Sequence, residues 1–180
     1  ITYYYLGWCL HQGGLSGVKQ AFADAVQACP DYCFPNRLEA ILALQCAMVQ
    51  NPDDARAPYY LGNLYYDKRQ YDLAMKAWET SARLDDSFPT VWRNLALVFF
   101  NKKNEEAKAI ECMERAFCLD PTDARILMEL DQLYKRVRRS HKERLAFLQL
   151  YPDLIKQRDD LILEEITLLN QTGEDEKAKT

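Results

Sequence analysis

Large and small apolar side chains return along this chain at a near-constant interval, with polar turns between them. Leu61, Gly62 and Tyr65 recur as Leu95, Ala96 and Phe99, each 34 residues on. Ala74, Trp78, Ser81 and Asp86 recur as Ala109, Met113, Ala116 and Pro121, each 35 residues on. The extra residue therefore lies between Phe99 and Ala109, in the polar stretch Asn101–Glu106, where a turn between helices tolerates an insertion. Leu130 and Tyr134 repeat Leu95 and Phe99 once more, while Ala40, Leu44, Ala47 and Pro52 precede Ala74, Trp78, Ser81 and Asp86 by 34. A period of this size marks a stacked repeat.

The pattern predicts two antiparallel helices per unit. Gly62 and Ala96, and on the second helix Ala74, Ala109, Ser81 and Ala116, are small where the two helices of a hairpin come closest. Tyr65, Phe99, Trp78 and Met113 are large because they fill the wedges between helices. Pro121 stops one hairpin and opens the next, with Asn51-Pro52-Asp53-Asp54 and Leu84-Asp85-Asp86-Ser87 at equivalent ends. No unit buries its apolar face alone, so stacking creates the core.

Outside the best-matched stretch the pattern loosens. A first helix over about 124–136 keeps Leu127, Leu130 and Tyr134 but puts Asp131 at a close-packed small position, which predicts looser packing there. A second helix follows over about 141–150, and residues 159–171 form another first helix. On that last helix Ile162, Ile166 and Leu169 have a surface to pack on, whereas Leu161, Leu163 and Leu168 are expected to lack cover. At the front, Leu6-Gly7 copies Leu61-Gly62 and precedes a helix rich in Ala21, Ala25 and Ala28. Residues 30–36 are too rigid and aromatic for a flexible linker and read as a fixed elbow.

These residues resemble the tetratricopeptide repeat family. Leu61-Gly62, Tyr65, Ala74, Trp78 and Ser81 match its small and aromatic positions, followed by Trp92, Leu95-Ala96, Phe99, Ala109, Ala116 and Pro121. The resemblance implies an all-α, tetratricopeptide-like α-α superhelix, a right-handed solenoid of antiparallel helix hairpins. The expected organisation is one array over 1–180. It has a degenerate repeat at 1–29, the elbow at 30–36 and a single helix of a repeat at 37–54. Repeats follow at 55–88, 89–121 and 122–152, then a truncated terminal repeat at 159–180. A narrower resemblance rests on Pro30–Pro35, Asp54–Asn63 and Ser87–Leu95. It points to the C-terminal repeat region of large bacterial proteins whose N-terminal domain is β-rich and similar to sugar-mutarotase folds.

In this family the first helix of each unit lines the concave face, which implies a binding groove for a peptide or protein. The implied contact residues are Arg56, Tyr59, Asn63, Tyr66 and Asp67 in the first good unit. The second offers Arg93, Asn94, Leu97, Phe100 and Asn101. The third offers Arg125, Met128, Gln132, Lys135 and Arg136, and the front hairpin adds Tyr4, Trp8 and His11. Aromatic rings, amides and arginines of this kind dominate binding hot spots. Side-chain amides at Asn63 and Asn94 suit the backbone of an extended peptide, and on this reading Asn63 and Tyr66 are replaceable without loss of stability. Some family members clamp a C-terminal carboxylate. Asn63, Asn94 and Arg125 stand on three of those positions, but Tyr59 and Glu129 occupy the other two, so no such clamp is expected.

Composition narrows the function further. A net charge of −4 argues against nucleic acid as the main partner, since phosphate is held mostly by Lys and Arg. The basic cluster Lys135, Arg136, Arg138, Arg139, Lys142 and Arg144 reads as a solvated turn. Six cysteines lack zinc-ligand spacing and are expected to fill the core in a reducing, cytoplasmic compartment, with Cys29/Cys33 the one pair suited to redox chemistry. No phosphate loop, nucleophile elbow or His-Glu-x-x-His is present, so the expectation is a non-enzyme without metal or cofactor. No stretch reaches the roughly 18 apolar residues of a membrane span. The first residue is not Met, and the chain reads as a piece of something longer. The alternative to a binding module is a structural one, joining copies of its parent through the terminal helix or packing on the parent's other domain.

Overall fold

The computed structural model describes residues 1–29 and 33–173, and every described element is helical. In the first of two compact units, 1–98, α1 (Thr2–Gln12) and α2 (Val18–Gln27) form a hairpin, followed by α3 (Glu39–Gln50). A second hairpin, α4 (Arg56–Asp67) and α5 (Tyr71–Leu84), leads to α6 (Pro89–Val98). The second unit begins with a π turn (Phe99–Lys103) and α7 (Glu106–Leu119). It continues with α8 (Ala124–Arg136), α9 (His141–Leu148), the short α10 (Pro152–Ile155) and α11 (Asp159–Thr172). Of the elbow expected at 30–36, residues 30–32 lie outside the described residues, as do 174–180 of the terminal repeat.

One turn recurs at four helix ends. A residue with positive φ stands at Gly14 (62°), Arg69 (59°), Asn104 (55°) and Arg138 (62°). The next amide then donates back to a helical carbonyl: Leu15 to Leu10, Gln70 to Tyr65, Glu105 to Phe99 and Arg139 to Tyr134, at 2.8–3.0 Å. A left-handed residue followed by this bond is the cap that satisfies orphan carbonyls at a helix end. The Phe99–Glu105 bond spans one residue more than its three counterparts. The inserted residue is therefore absorbed in the helix end, as the π turn, and not in the turn that follows it.

In the first unit, glycine sets the distance between paired helices. A Cβ on Gly62 would lie 2.5 Å from Cδ1 and Nε1 of Trp78, and one on Gly7 would lie 2.6 Å from Cε1 of Phe22. Tyr4, on α1, is 1% exposed and donates to the Asp54 carboxylate at 2.8 Å. Asp54 also accepts from the Arg56 and Ala57 amides, which caps α4. Tyr4 was expected to face a partner; instead its ring packs among Phe22 and Tyr60 and its hydroxyl ties α1 to the start of α4. Ser81 donates to the Ala55 carbonyl at 2.7 Å, so the small position of α5 also carries a bond across the hairpin.

In the second unit, charge replaces the small pair. Asp131 is 0% exposed and accepts from Arg144 Nε at 3.0 Å and Nη2 at 2.5 Å; Arg144 itself is 2% exposed. Arg144 also reaches Glu164 on α11 at 2.7 Å, and Lys135 reaches the same carboxylate at 2.8 Å. Two expectations are corrected here. Asp131 does not mark loose packing, and Arg144 does not belong to a solvated turn, because each neutralises the other. Leu161 and Leu168 are also fully buried, since α9 and α10 pack against α11; Leu163 stays 64% exposed. Phe117, Tyr134, Phe147 and Tyr151 form a ring cluster, and Tyr134 donates to Glu114 at 2.7 Å. Ser140 and Glu143 cap α9 reciprocally.

The cysteines depart from the expectation of core filler. Cys112 alone is buried; Cys33 and Cys46 are half-buried, and Cys9, Cys29 and Cys118 are exposed.

Candidate functional site

The first unit draws two sequence-chosen amides together. Asn63 projects from α4 and is 5% exposed, and its Oδ1 accepts from Trp78 Nε1 and from Asn94 Nδ2, both at 3.1 Å. An indole nitrogen only donates, so the Asn63 atom facing it is the oxygen. The Asn94 atom facing that oxygen is then its NH2 group. Asn63 Nδ2 is left as the one buried side-chain polar atom among the described residues without a hydrogen-bond partner. An unmet buried amide costs about 1–3 kcal/mol. The expectation that Asn63 is a freely replaceable groove amide is corrected on this point: the Trp78 donor draws it inward.

Around this pair, Tyr66 is half-buried, with its ring 5.5 Å from Trp78 and 5.2 Å from Tyr71. Tyr59 is half-buried against Phe88 at 4.8 Å and Tyr60 at 5.2 Å. Burial pushes the Tyr60 phenol up to about 12. Arg56 is half-buried and donates to the Ala28 carbonyl at 2.6 Å, which holds the end of α2. Arg93, Asn94 and Leu97 are half-buried on α6. At the front, Trp8 packs on Tyr5 and His11 is exposed.

The second unit holds the remaining residues. Arg136 is exposed, with its guanidinium 5.3 Å from the centre of the half-buried Phe100 ring, a cation–π contact. Arg125 is exposed and pairs with Asp123 at 3.2 Å, Met128 is half-buried, and Gln132 donates to Glu164 at 3.4 Å. Burial pushes the Glu164 carboxyl up, but the Lys135 and Arg144 donors outweigh it and hold the group below its ordinary value. Burial raises Asp131 despite its bonds from Arg144.

Sequence reasoning missed the Asp131–Arg144–Glu164 network. Its signal was present: Arg144 stands 35 residues after Ala109, on the small position of the second helix, as Asp131 stands on that of the first. Opposite charges on both small positions of one repeat spell a pair. Among the described residues no cluster of three or more His, Cys, Asp or Glu is placed to hold a metal. None of their helices is long and apolar enough to cross a membrane.

Residues 62–103 match the family model described as TPR repeat. Among curated proteins, RANBP2-like and GRIP domain-containing protein 8 of Homo sapiens is 33% identical over 75 residues, 42% of this chain and 4% of that protein. The E3 SUMO-protein ligase RanBP2 of Homo sapiens is 32% identical over 75 residues, again 42% of this chain and 2% of the relative. The chain thus spans only a few per cent of the length of these curated relatives. Among solved structures, MamA aligns with a TM-score of 0.64 at 16% identity, over 91% of this chain and 88% of its own. YrrB, titled a TPR protein with an unusual peptide-binding site, aligns with a TM-score of 0.63 at 17% identity, over 99% of this chain and 80% of its own. At such identities the likeness is one of fold. The match to the TPR repeat model is confined to residues 62–103, and the fold is of the all-α, tetratricopeptide-like α-α superhelix class.

Proposed function

We propose that this chain is a protein–protein interaction scaffold, not an enzyme, and that its first unit binds an extended peptide along the faces of α4 and α6. The observation that carries this reading is the Asn63–Asn94 pair. Trp78 fixes Asn63, and Asn63 in turn holds the half-buried Asn94 amide, whose remaining polar groups supply bonds to a peptide backbone. Arg56, Tyr59, Tyr66, Arg93 and Leu97 supply the surrounding contacts, and Phe100, Arg125, Met128, Gln132 and Arg136 form the contact set of the second unit. That YrrB is titled a peptide binder on the same fold supports the ligand class.

A displayed library of random extended peptides, selected on the full chain, tests this. The best binder is then titrated against Asn94→Ala and Tyr66→Ala. Each substitution is expected to weaken binding about tenfold or more, as truncated hot-spot residues do. Unchanged affinity in both variants would sink the reading.

The exposed thiols of Cys9, Cys29 and Cys118 suit a reducing, cytoplasmic setting. The Asp54–Asn63 and Ser87–Leu95 motifs place the chain, in this proposal, within a large bacterial protein carrying a β-rich domain. A second reading rests on Leu163, 64% exposed on α11 beside half-buried Ile162 and Ile166. It makes this face the contact with a second copy or with the parent's carbohydrate-related domain. Light scattering on the chain and on Leu163→Glu distinguishes the readings: a dimer abolished by the substitution favours the second.

A further inference from the structure

The end of α2 and the approach to α3 bring two thiols together. Cys29 is exposed and Cys33 half-buried, and the Cys33 thiol donates to the Cys29 carbonyl oxygen at 3.7 Å. A carbonyl oxygen lies about 2.4 Å from its own Cα, so the Cys33 sulfur is within about 6 Å of the Cys29 Cα. Rotation of both cysteine side chains, with a small approach of the two ends, then brings the sulfurs to the disulfide separation of about 2.05 Å. Both ends are held. The neighbour of Cys29, Ala28, has its carbonyl bonded to Arg56 at 2.6 Å, and Cys33 packs on the core shared by α1, α3 and α4.

We propose that Cys29 and Cys33 form a dithiol modification site, closed to a disulfide by exchange with a glutathione-type disulfide. Cys29, the exposed partner, attacks as thiolate, bonds to one glutathione sulfur and releases the other as thiolate. The Cys33 thiolate then attacks Cys29 Sγ, breaks the mixed disulfide and releases the second glutathione. The two protons leaving the cysteines are taken up by the two departing thiolates. Two cysteine thiols are oxidised and one glutathione disulfide is reduced to two thiols. The bond ties the end of α2 to the segment entering α3, across the same corner that Arg56 already clasps.

The full chain is equilibrated in buffers of rising glutathione disulfide to glutathione ratio, acid-quenched, alkylated and digested with trypsin. Cleavage after Lys19 and Arg37 gives a peptide, 20–37, holding Cys29 and Cys33 and no other cysteine. It is expected to become two hydrogens lighter and resistant to alkylation in buffers that leave Cys9 and Cys118 alkylatable. In Cys33→Ser, Cys29 is expected to stop at the mixed disulfide with one glutathione, and oxidation no longer raises the melting temperature as it does in the wild type. Circular dichroism of the reduced variant checks that it folds. Separate glutathione adducts on Cys29 and Cys33, or thiols that persist there until Cys9 and Cys118 are fully modified, would overturn the proposal.

Discussion

The Trp78 indole N–H donates to the Asn63 amide oxygen at 3.1 Å, and the same ring leaves no room for a Cβ on Gly62. One tryptophan on α5 therefore sets both the closest approach of α4 and the orientation of its buried amide.

Asn63→Ala removes the acceptor for Trp78 Nε1 and for Asn94 Nδ2 together. The indole is 3% exposed, so the loss is expected to be about 1–3 kcal/mol. Asn94→Ala leaves the Trp78–Asn63 bond intact and is expected to cost less than about 1 kcal/mol. Urea unfolding of the two variants measures the ordering. Equal effects would mean that the indole finds another partner.

Gly62→Ala already places a carbon 2.5 Å from the indole, and Gly62→Leu drives it further in. Displacing a packed ring costs about 1–3 kcal/mol for small insertions and more for large ones. The next repeat carries Ala96 and Met113 at the corresponding positions. Gly62→Ala combined with Trp78→Met is therefore expected to be less destabilised than the sum of the single changes. A double-mutant cycle by thermal unfolding reads this, and strict additivity would count against the crossing geometry.

Asp131 and Arg144 make the opposite experiment possible. Asp131→Ala leaves the buried guanidinium with Glu164 as its remaining anionic partner and is expected to cost about 3 kcal/mol, the low end of the roughly 3–5 kcal/mol range for a broken buried pair. Arg144→Ala strands the 0% exposed Asp131 carboxylate and belongs in the same range. The double variant restores the two small residues that Ala96 and Ala109 represent elsewhere in the pattern. It is expected to be more stable than either single variant by chemical denaturation. A double variant weaker than both singles would show that the charges are needed for more than each other.

How far the sequence carried depends on which chemistry repeats. The hairpins were legible because Gly62, Ala74 and Trp78 recur with size conserved, and size at a crossing point is a steric demand. The left-handed turn was not, since Gly14, Arg69, Asn104 and Arg138 share a backbone angle and no side-chain chemistry. Asn63 was misjudged because an amide on a first helix reads as outward, and only the donor-only indole of Trp78 explains its burial. The cover over Leu161 and Leu168 was missed because α10 is four residues long, too short for a period to show.

Glu164 supplies a pH dependence with a definite sign. Lys135 and Arg144 hold its carboxyl, against the upward push of burial, below the ordinary value of about 4.3. Between the folded and ordinary values the unfolded chain binds more protons, so stability falls as the solution is acidified. The contribution is fully present above the ordinary value and lost as pH falls through the folded one. Asp131, raised by burial, works in the opposite direction, which is why the comparison must isolate Glu164. Glu164→Gln keeps the shape and removes the charge. The stability difference between wild type and Glu164→Gln is expected to be constant well above the ordinary carboxylate value and to shrink as the pH falls below it. Amide exchange should place the acid-induced loosening in α11, which Glu164 bonds to Arg144 on α9 and Lys135 on α8. A difference that stays the same from neutral pH to acid would mean that the carboxylate holds α11 by shape alone.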